Sequence, residues 1–361
     1  MFKKYSFTEE EFKKKREHVV NLNHLSINGD YQDAADMRKY GFSMSDSYIF
    51  DLKNNDYRNY ISTWEGAQTR VGSNPDFFVI SADKMLFGMV YGKLIKVPEV
   101  WATVTNGEIN SVNGTGITKE NVYDYLINND GGVLKWRAGC DGFGITVFKS
   151  IDSKLYSNGE EITKESLLSI IDKCIYCILQ RRVAQGDFEN RIFDKSVNTI
   201  RIVSVRKPGE VEHEIIGAMH RIGTGQSAPV DNFCQGGGSA IIDLETGVLG
   251  KMTCSNSYDE NGKRIFYSCH PDTGAQIEGI KIPGWKEIKE KIIYLTKEIP
   301  FFEFTAWDVA LTNDGIELIE INMSSSLNVF QAHGGMRNSL MGQKYRERGW
   351  LVDEEIFNSQ S

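Results

Sequence analysis

The chain has 361 residues, a formal net charge of −8 at pH 7, 40% hydrophobic residues and 25% charged residues. Such a chain can bury a large core and exceeds one typical domain, so two or three lobes are expected. The acidic balance argues against nucleic acid as the main partner, and the lack of a long apolar run predicts a cytoplasmic protein without a membrane span.

The first part of the chain is predicted to be mainly helical. Residues 8–20 form a charged helix, and the polar and aromatic residues 31–66 predict short helices in a cap or substrate-facing lobe. The apolar residues 77–80 then predict a short strand. A helix is predicted over 83–93, beginning at Asp83-Lys84.

From residue 100 onward, strands and helices alternate. Strands are predicted at 100–104, 132–136, 145–150 and 178–183, and helices at 119–129 and 166–177. Residues 198–322 are strand-rich, and 326–345 are predicted to be helical with an interruption at Gly334-Gly335. This order predicts an α+β fold with mostly antiparallel sheets.

Residues 304–324 predict a β-hairpin around the turn Asn313-Asp314-Gly315, with glycine where φ is positive. If those three residues form the loop, Asp308 lies opposite Glu320, and Asn322 follows two residues further on the same face. Two carboxylates and an amide oxygen are ligands that suit Mg²⁺. The alternative is a solvated polar face on an edge hairpin.

The end of the strand at 132–136 predicts a phosphate-binding loop. Lys135 ends the strand, and Gly139, Gly142 and Gly144 follow. Glycines let backbone N–H groups approach phosphate oxygens, and the lysine adds a positive charge. The pattern is neither a Walker A loop nor a dinucleotide-binding fingerprint, and a glycine-rich structural turn is the alternative.

Two strands each carry one arginine among alternating apolar residues. Arg201 and Arg221 need an anionic partner if they point inward, because an unpaired buried charge is unfavourable. That partner is either a phosphate or carboxylate ligand, or an aspartate of the chain itself. Two later loops, 231–238 and 270–274, are candidates for substrate contacts, with a mobile loop and a structural histidine as the alternatives.

In this order, these pieces resemble the ATP-grasp superfamily. The runs SVNTIRIVS, DNFCQGGGSAIIDLETGVLG, HPDTGAQIEGIKIPGW and WDVALTNDGIELIEIN are similar to the branch called sugar-transfer-associated ATP-grasp, related to α-L-glutamate ligase-like proteins, over about residues 76–335. The resemblance implies two α+β subdomains that clamp ATP. The expected regions are a helical N-terminal extension at 1–75, an N-terminal subdomain with a glycine-rich flap at 76–180, a C-terminal subdomain with the metal site at 181–345, and a tail at 346–361.

The resemblance also implies roles for residues of this chain. The catalytic residues implied are Arg201, Lys135 and Arg221. The ATP-binding residues implied are Lys84, Lys135, Gly139, Gly142, Gly144, Gln180, Arg181, Arg182 and Val183. The residues implied to bind Mg²⁺ are Asp308, Glu320 and Asn322. The candidate substrate residues are Asn232, Gly236, Gly237, Gly238, His270 and Asp272.

The function implied is that of an ATP-dependent carboxylate–amine ligase. It would form an amide through an acylphosphate with ATP and two Mg²⁺ ions, on an amino acid or a sugar-derived substrate, in polysaccharide, other glycan or secondary-metabolite biosynthesis. Its partners would be a small-molecule carboxylate and a small-molecule amine, and its oligomeric state stays open. The alternatives are a kinase acting on a sugar or polyol hydroxyl and a non-catalytic nucleotide-binding protein.

Overall fold

The computed structural model describes residues 9–22, 34–72, 77–138, 144–323, 325 and 327–351. Contacts between residues divide the chain into two compact units. The large unit contains Met1–Phe78, Phe188–Asp308 and Ile321–Ser361, and the small unit contains Val79–Asp187 and Val309–Glu320.

Helices and strands alternate along the described chain. The α-helices are α1 (Glu9–Val20), α2 (Met44–Ile49), α3 (Thr63–Gly72), α4 (Phe78–Ala82), α5 (Lys84–Tyr91), α6 (Val122–Asn128), α7 (Lys164–Asp172), α8 (Asp187–Ile192), α9 (Trp285–Glu298), α10 (Asn328–Gln331) and α11 (Leu340–Glu347). The strands are β1 (Val100–Thr105), β2 (Glu108–Ser111), β3 (Gly132–Trp136), β4 (Thr146–Ile151), β5 (Lys154–Ser157), β6 (Glu160–Ile162), β7 (Tyr176–Gln180), β8 (Thr199–Arg206), β9 (His213–Ile222), β10 (Gly238–Ile242), β11 (Leu249–Cys254), β12 (Phe304–Thr312) and β13 (Gly315–Asn322).

The small unit is built on a seven-stranded sheet with the order β2-β1-β7-β3-β4-β5-β6. All its neighbouring strands are antiparallel. Helices α6 and α7 bury apolar side chains in one core with Leu134 of β3 and Leu179 of β7. Because side chains alternate along a strand, Lys135 and its partner Ile178 face the side of the sheet opposite this core.

The large unit is built on a six-stranded sheet with the order β11-β10-β9-β8-β12-β13. The pairs β8–β9, β9–β10 and β10–β11 are antiparallel. Thr199 pairs with Arg221, and Arg201 pairs with Met219, so these four side chains lie on one face at one end of the β8–β9 ladder. Helix α9, with an apolar stripe that includes buried Ile288 and Ile292, packs on β9.

The N-terminal segment is part of the core of the large unit. Phe42, Ile49 and Ile61 are buried in one apolar cluster with β8, β9 and the last helices. The Gln331 side chain accepts from the backbone N–H of Ile61 at 2.7 Å and donates to its carbonyl at 2.8 Å. The buried Glu65 carboxylate accepts from Arg337 at 2.9 Å. These bonds anchor residues 61–65 to the C-terminal helices of the same unit.

Most predicted elements are present, and two predictions were wrong. Residues 77–80 were predicted as a strand, but α4 covers Phe78–Ala82. A four-residue apolar run does not distinguish a strand from a helix, and Phe78 and Val79 are exposed rather than buried in a sheet. The helix predicted over 166–177 ends at Asp172, because Tyr176 and Cys177 pair with β1 and β3 as part of β7.

The fold class is confirmed: the chain is α+β, the paired strands from β1 to β11 are antiparallel, and the described residues before residue 75 are mainly helical. The predicted region boundaries at residues 75, 180 and 345 stay predictions. In the described part of the chain, no helix combines the length and the apolar character that crossing a membrane requires.

Candidate active site

Hairpin β12–β13 carries the three predicted metal ligands. Gly315 has a φ of 121°, as the predicted turn requires. Asp308 is 1% exposed, and Glu320 and Asn322 are half-buried. No group of three or more histidine, cysteine, aspartate or glutamate side chains among the described residues is arranged to hold a metal ion. The predicted set contains only two such side chains, and both its register and its metal role stay predictions.

Asp308 is the centre of a buried ionic network in the large unit. Arg201 donates from Nε and Nη2 to its two carboxylate oxygens, at 2.7 and 2.6 Å. Arg221 donates from Nη1 to Asp308 at 2.9 Å and from Nη2 to Asp231 at 2.8 Å. Thr199 Oγ1 donates to the second oxygen of Asp231. The two guanidinium groups and the two carboxylates together carry no net charge.

The network shows the chain's own aspartates as partners of the arginines, and the predicted role of Arg201 and Arg221 toward a phosphate stays a prediction. In this structure both guanidinium groups are paired with aspartates of the chain, and each arginine side chain is only 11% exposed. Burial raises the pKa of Asp231, against the opposite effect of the Arg221 guanidinium. Asp231 was predicted only as part of the candidate substrate loop 231–238, and no role was predicted for Thr199. The strand register could have indicated Thr199, which lies directly opposite Arg221.

Lys135, near the end of β3, is a buried cation of the small unit. Its side chain is 7% exposed, and its Nζ makes no hydrogen bond or ion pair with any residue that the structure describes. Burial and, to a smaller extent, the neighbouring Lys84 ammonium lower the pKa of Lys135 to about 8, against the opposite effect of Glu320. Two lysines and a carboxylate are therefore close to one another in this unit.

Of the three predicted loop glycines, Gly139 and Gly142 lie outside the described residues. Gly144 has a φ of 68°, and a Cβ atom there would come within 2.9 Å of the Trp136 indole nitrogen. A side chain at this position would therefore be strained and would displace the indole. The last described residue of the loop needs glycine, and its predicted role in ATP binding stays a prediction.

Residues 180–183, at the end of β7, are predicted to bind the nucleotide. The guanidinium groups of Arg181 and Arg182 form hydrogen bonds with carboxylates of the chain. Arg181 donates to the buried carboxylate of Glu317, and Arg182 donates to Asp130. Gln180 and Val183 are both 6% exposed. The arginine side chains hold the segment in place, and the nucleotide-binding role of all four residues stays a prediction.

The candidate substrate residues of the first loop shape its backbone. The Asn232 side chain accepts from the backbone N–H of Cys234 at 2.9 Å. Gly236 has a φ of 102°, and a Cβ atom there would come within 2.6 Å of the Gln226 side chain, while a Cβ atom on Gly237 would come within 2.7 Å of the Asp231 carbonyl. Gly238 is the first residue of β10. These contacts fix the backbone next to Asp231, and a direct contact with substrate stays a prediction.

The candidate substrate residues of the second loop make internal contacts. His270 is 1% exposed, and its Nε2 lies 2.8 Å from the Gly223 carbonyl. Its Nδ1 accepts from the backbone N–H groups of Asp272 and Thr273. Asp272 accepts from the N–H of Gly225 at 2.7 Å. In this structure both ring nitrogens of His270 position the loop, as the alternative interpretation of a structural histidine expected.

A buried polar cluster on α8 and β9 was missed by the sequence analysis. Glu189 and His220 are fully buried, with Nε2 of the histidine 2.9 Å from Oε2 of the glutamate. Asn198 also donates to Glu189, at 3.2 Å. Neither Oε1 of Glu189 nor Nδ1 of His220 has a hydrogen-bond partner among the described residues. The signal available was a histidine next to Arg221, after the apolar residues Ile215–Met219 of β9.

Comparison with known proteins gives one family match. Residues 70–343 match the family described as sugar-transfer associated ATP-grasp. No curated protein matches the chain.

Several solved structures are similar to the chain. N5-carboxyaminoimidazole ribonucleotide synthetase, in its ADP complex, is 13% identical with a TM-score of 0.41 and matches over 74% of this chain and 51% of its own. The D-Ala:D-Ser ligase VanG from Enterococcus faecalis is 12% identical with a TM-score of 0.41, over 77% of this chain and 68% of its own. A D-alanine–D-alanine ligase from Bacillus anthracis is 12% identical with a TM-score of 0.41, over 99% and 97%. The chain spans about half the length of the first of these structures.

Proposed function

The chain belongs to the sugar-transfer associated ATP-grasp family, and from this premise we propose that it is an ATP-dependent ligase that joins a carboxylate to an amine. In the proposed reaction the carboxylate attacks the γ-phosphate of ATP. ADP leaves, and the amine then displaces phosphate from the resulting acylphosphate to form an amide.

The observation that carries this proposal is the environment of Lys135. A lysine that is 7% exposed, has no ionic partner among the described residues and lies near a second lysine is unfavourable on its own. A polyphosphate would bring negative charge to the Lys135 ammonium group and to its neighbour Lys84. Lys135 and Lys84 are therefore proposed to bind the phosphates of ATP, with Gly139, Gly142 and Gly144 in the loop that covers them.

The arginines of the large unit are proposed to act on the phosphate that is transferred. Arg201 and Arg221 are held by Asp308 and Asp231 at 2.6–2.9 Å, so their guanidinium groups are oriented before any ligand binds. Donors that are fixed in advance stabilise charge that develops in a transition state without reorganising. Asn232, Gly236–Gly238, His270 and Asp272 are proposed to shape the acceptor side.

Magnesium is proposed as the metal. The donors of Asp308, Glu320 and Asn322, two carboxylates and one amide oxygen, have the chemistry that a hard cation prefers. Asp308 would use its remaining capacity as an acceptor while Arg201 and Arg221 hold it in place. When bound, Mg²⁺ supplies positive charge to the β- and γ-phosphate oxygens.

The substrates are proposed to be small: an amino acid, a sugar-derived acid or amine, or one of each. The test is ADP release from Mg-ATP over a panel of amino acids, uronic acids and amino sugars, with and without hydroxylamine. We expect release that depends on a carboxylate, is trapped as a hydroxamate, and falls at least about 100-fold in Glu320→Ala. Lys154→Ala, at an exposed ion pair of the small unit, is the matched control and should retain full turnover.

Two results would contradict the ligase. Turnover on a sugar alcohol with a stable phosphate ester as product, and none on any carboxylate, would make the protein a kinase. Binding of ATP with no turnover on either panel would favour a non-catalytic nucleotide-binding protein.

A further inference from the structure

Asp83 and Arg137 connect the two segments of the small unit that carry the lysines. Asp83 precedes α5, and its Oδ1 accepts from the backbone N–H groups of Met85 and Leu86 at 2.9 and 3.0 Å. Its other oxygen, Oδ2, accepts from Arg137 Nε at 2.7 Å. One carboxylate thus caps a helix and holds the residue that follows β3.

A backbone bond closes the same connection. The N–H of Lys84 donates to the carbonyl of Arg137 at 3.0 Å. Arg137 is in turn fixed to β7, because its N–H donates to the Tyr176 carbonyl at 3.1 Å and its guanidinium lies 5.2 Å from the centre of the Tyr176 ring. The backbone of Lys84, the first residue of α5, is therefore hydrogen-bonded to Arg137, which follows Lys135 by two residues.

We propose that Asp83 and Arg137 are positioning residues that hold Lys84 beside Lys135, so that both ammonium groups bind one polyphosphate. The inference rests on the proposed function for the identity of the ligand as ATP, but the clamp itself needs only a polyphosphate. We refer to the Asp83 carboxylate and the Arg137 guanidinium as the clamp.

The physical reason for a clamp is the repulsion between two like charges. Lys84 and Lys135 repel each other where the side chain of Lys135 is shielded from water, so screening is weak. Without a connection, the start of α5 would move away and the two ammonium groups would separate until a ligand arrived. The clamp is well suited to resist this motion, since Asp83 and Arg137 side chains are only 10% and 24% exposed. A site held in advance binds its anion without first paying the entropy of assembly.

The test measures the affinity of the full chain for inorganic tripolyphosphate without metal, and then for Mg-ATP, by titration calorimetry. The variants are Arg137→Ala, Lys84→Ala and the double variant, with Lys154→Ala as the matched control at an exposed lysine of the same unit. Asp83→Asn separates the two functions of Asp83, because asparagine is also a good N-cap but removes the charge that holds Arg137. Hydrogen exchange at the amides of Lys84, Met85 and Leu86 measures, without any ligand, whether the clamp holds the start of α5.

We expect Arg137→Ala and Asp83→Asn to weaken tripolyphosphate binding about tenfold. In the Lys84→Ala background, Arg137→Ala should weaken it less than about twofold, because the clamp acts through Lys84. Exchange at Lys84 should accelerate in Arg137→Ala, while exchange in β1 and β7 stays unchanged. Lys154→Ala should match the unaltered chain in every measurement.

An equal loss of affinity with and without Lys84 would mean that Arg137 has only a general structural role, and it would overturn the inference. Unchanged affinity and unchanged exchange in Arg137→Ala would overturn it as well. If tripolyphosphate binds in a clamp-dependent way and ATP does not bind, the proposed function fails and the clamp stands. If the affinity for Mg-ATP and for tripolyphosphate is unchanged in Arg137→Ala while ATP-dependent turnover is present, the clamp fails and the proposed function stands.

Discussion

Two regions of the molecule each bring a pair of cationic side chains together, and they differ in the counter-charge that surrounds each pair. In the large unit, Arg201 and Arg221 share Asp308, and Arg221 also binds Asp231, so the network is neutral. In the small unit, Lys135 has no ionic partner among the described residues and lies near Lys84. The first region has internal counter-charge, and the second brings a buried lysine close to a like charge, with Glu320 as the neighbouring carboxylate.

The two regions therefore place different demands on a ligand. Arg201 and Arg221 are already paired, so a ligand must share them with Asp308 and Asp231, and their guanidinium groups are oriented before it binds. Lys135 is buried beside a like charge, so we expect binding of a polyphosphate to relieve an unfavourable electrostatic energy.

Replacement of the lysine should separate stability from function. In Lys135→Met we expect ATP affinity to fall about 100-fold, since the residue supplies a charge to the phosphates in a weakly screened site. The unliganded variant should be as stable as the unaltered chain or more stable by about 1 kcal/mol, because an unpaired buried charge is replaced by an apolar side chain of similar size. Calorimetry and urea denaturation measure the two effects, and a large loss of stability would contradict the contrast.

Replacement of Asp308, the centre of the arginine network, should lower the stability of the unliganded chain. Asp308→Ala removes the carboxylate that accepts hydrogen bonds from Nε and Nη2 of Arg201. We therefore expect a loss of about 3 kcal/mol in the free energy of unfolding. Urea denaturation without nucleotide is the measurement. A variant as stable as the unaltered chain would show that the guanidinium groups reach water and that the network is not a buried one.

The pH dependence of stability should reveal the lysine. The pKa of Lys135 is lowered to about 8 from its ordinary 10.5. Below pH 8 the residue is charged in both the folded and the unfolded chain, so the folded state carries the whole desolvation penalty. Between these two values the unfolded chain binds more protons, so this lysine makes stability rise with pH. Above 10.5 both states are neutral at this residue, and the rise ends.

The measurement compares the unaltered chain with Lys135→Met by urea denaturation across that pH range. Relative to the variant, the unaltered chain should gain on the order of 2 kcal/mol between pH 8 and pH 10.5. Other groups that titrate in this range are common to both proteins and cancel in the difference. A difference that does not vary with pH would mean that Lys135 has an ordinary pKa and is not desolvated.

The smallest effect is expected at the edge of the arginine network. Thr199→Val keeps the shape of the side chain but removes the hydroxyl that donates to Asp231. We expect a loss of about 1.5 kcal/mol in the free energy of unfolding, the lower end of the net value of a hydrogen bond to a charged group. Ser204→Val is unsuitable as a control because its hydroxyl is also buried and bonded, so the exposed Lys154→Ala serves again. An unchanged stability would indicate that Arg221 alone holds Asp231.

Much of the fold followed from the sequence, and the failures have physical causes. The alternation of apolar residues predicted β3, β7 and the hairpin, and the turn Asn313-Asp314-Gly315 predicted the positive φ of Gly315. The run at 77–80 failed because four apolar residues fit either periodicity, and the neighbouring α5, capped by Asp83, continues the helical path instead. Local pattern decides elements that are long enough to show a period.

For the candidate site, the sequence indicated the residue types but not their partners. The residue types of the lysine, the arginines and the hairpin carboxylates were evident from the sequence, and the family assignment over residues 70–343 agrees with the resemblance that they carry. The partners were not evident. Asp231 reaches Arg221 from a loop, and Asp83 reaches Arg137 across 54 residues of chain.

The α+β class, the antiparallel strands and the chemical character of the two cationic regions follow from residue type and periodicity, which are local properties of the sequence. The counter-charge of each cation follows from the folded chain, because it depends on distances between residues far apart in the chain and on exclusion of water. Arg201 is paired with Asp308, whereas Lys135 has no ion pair within the part of the chain that the structure describes.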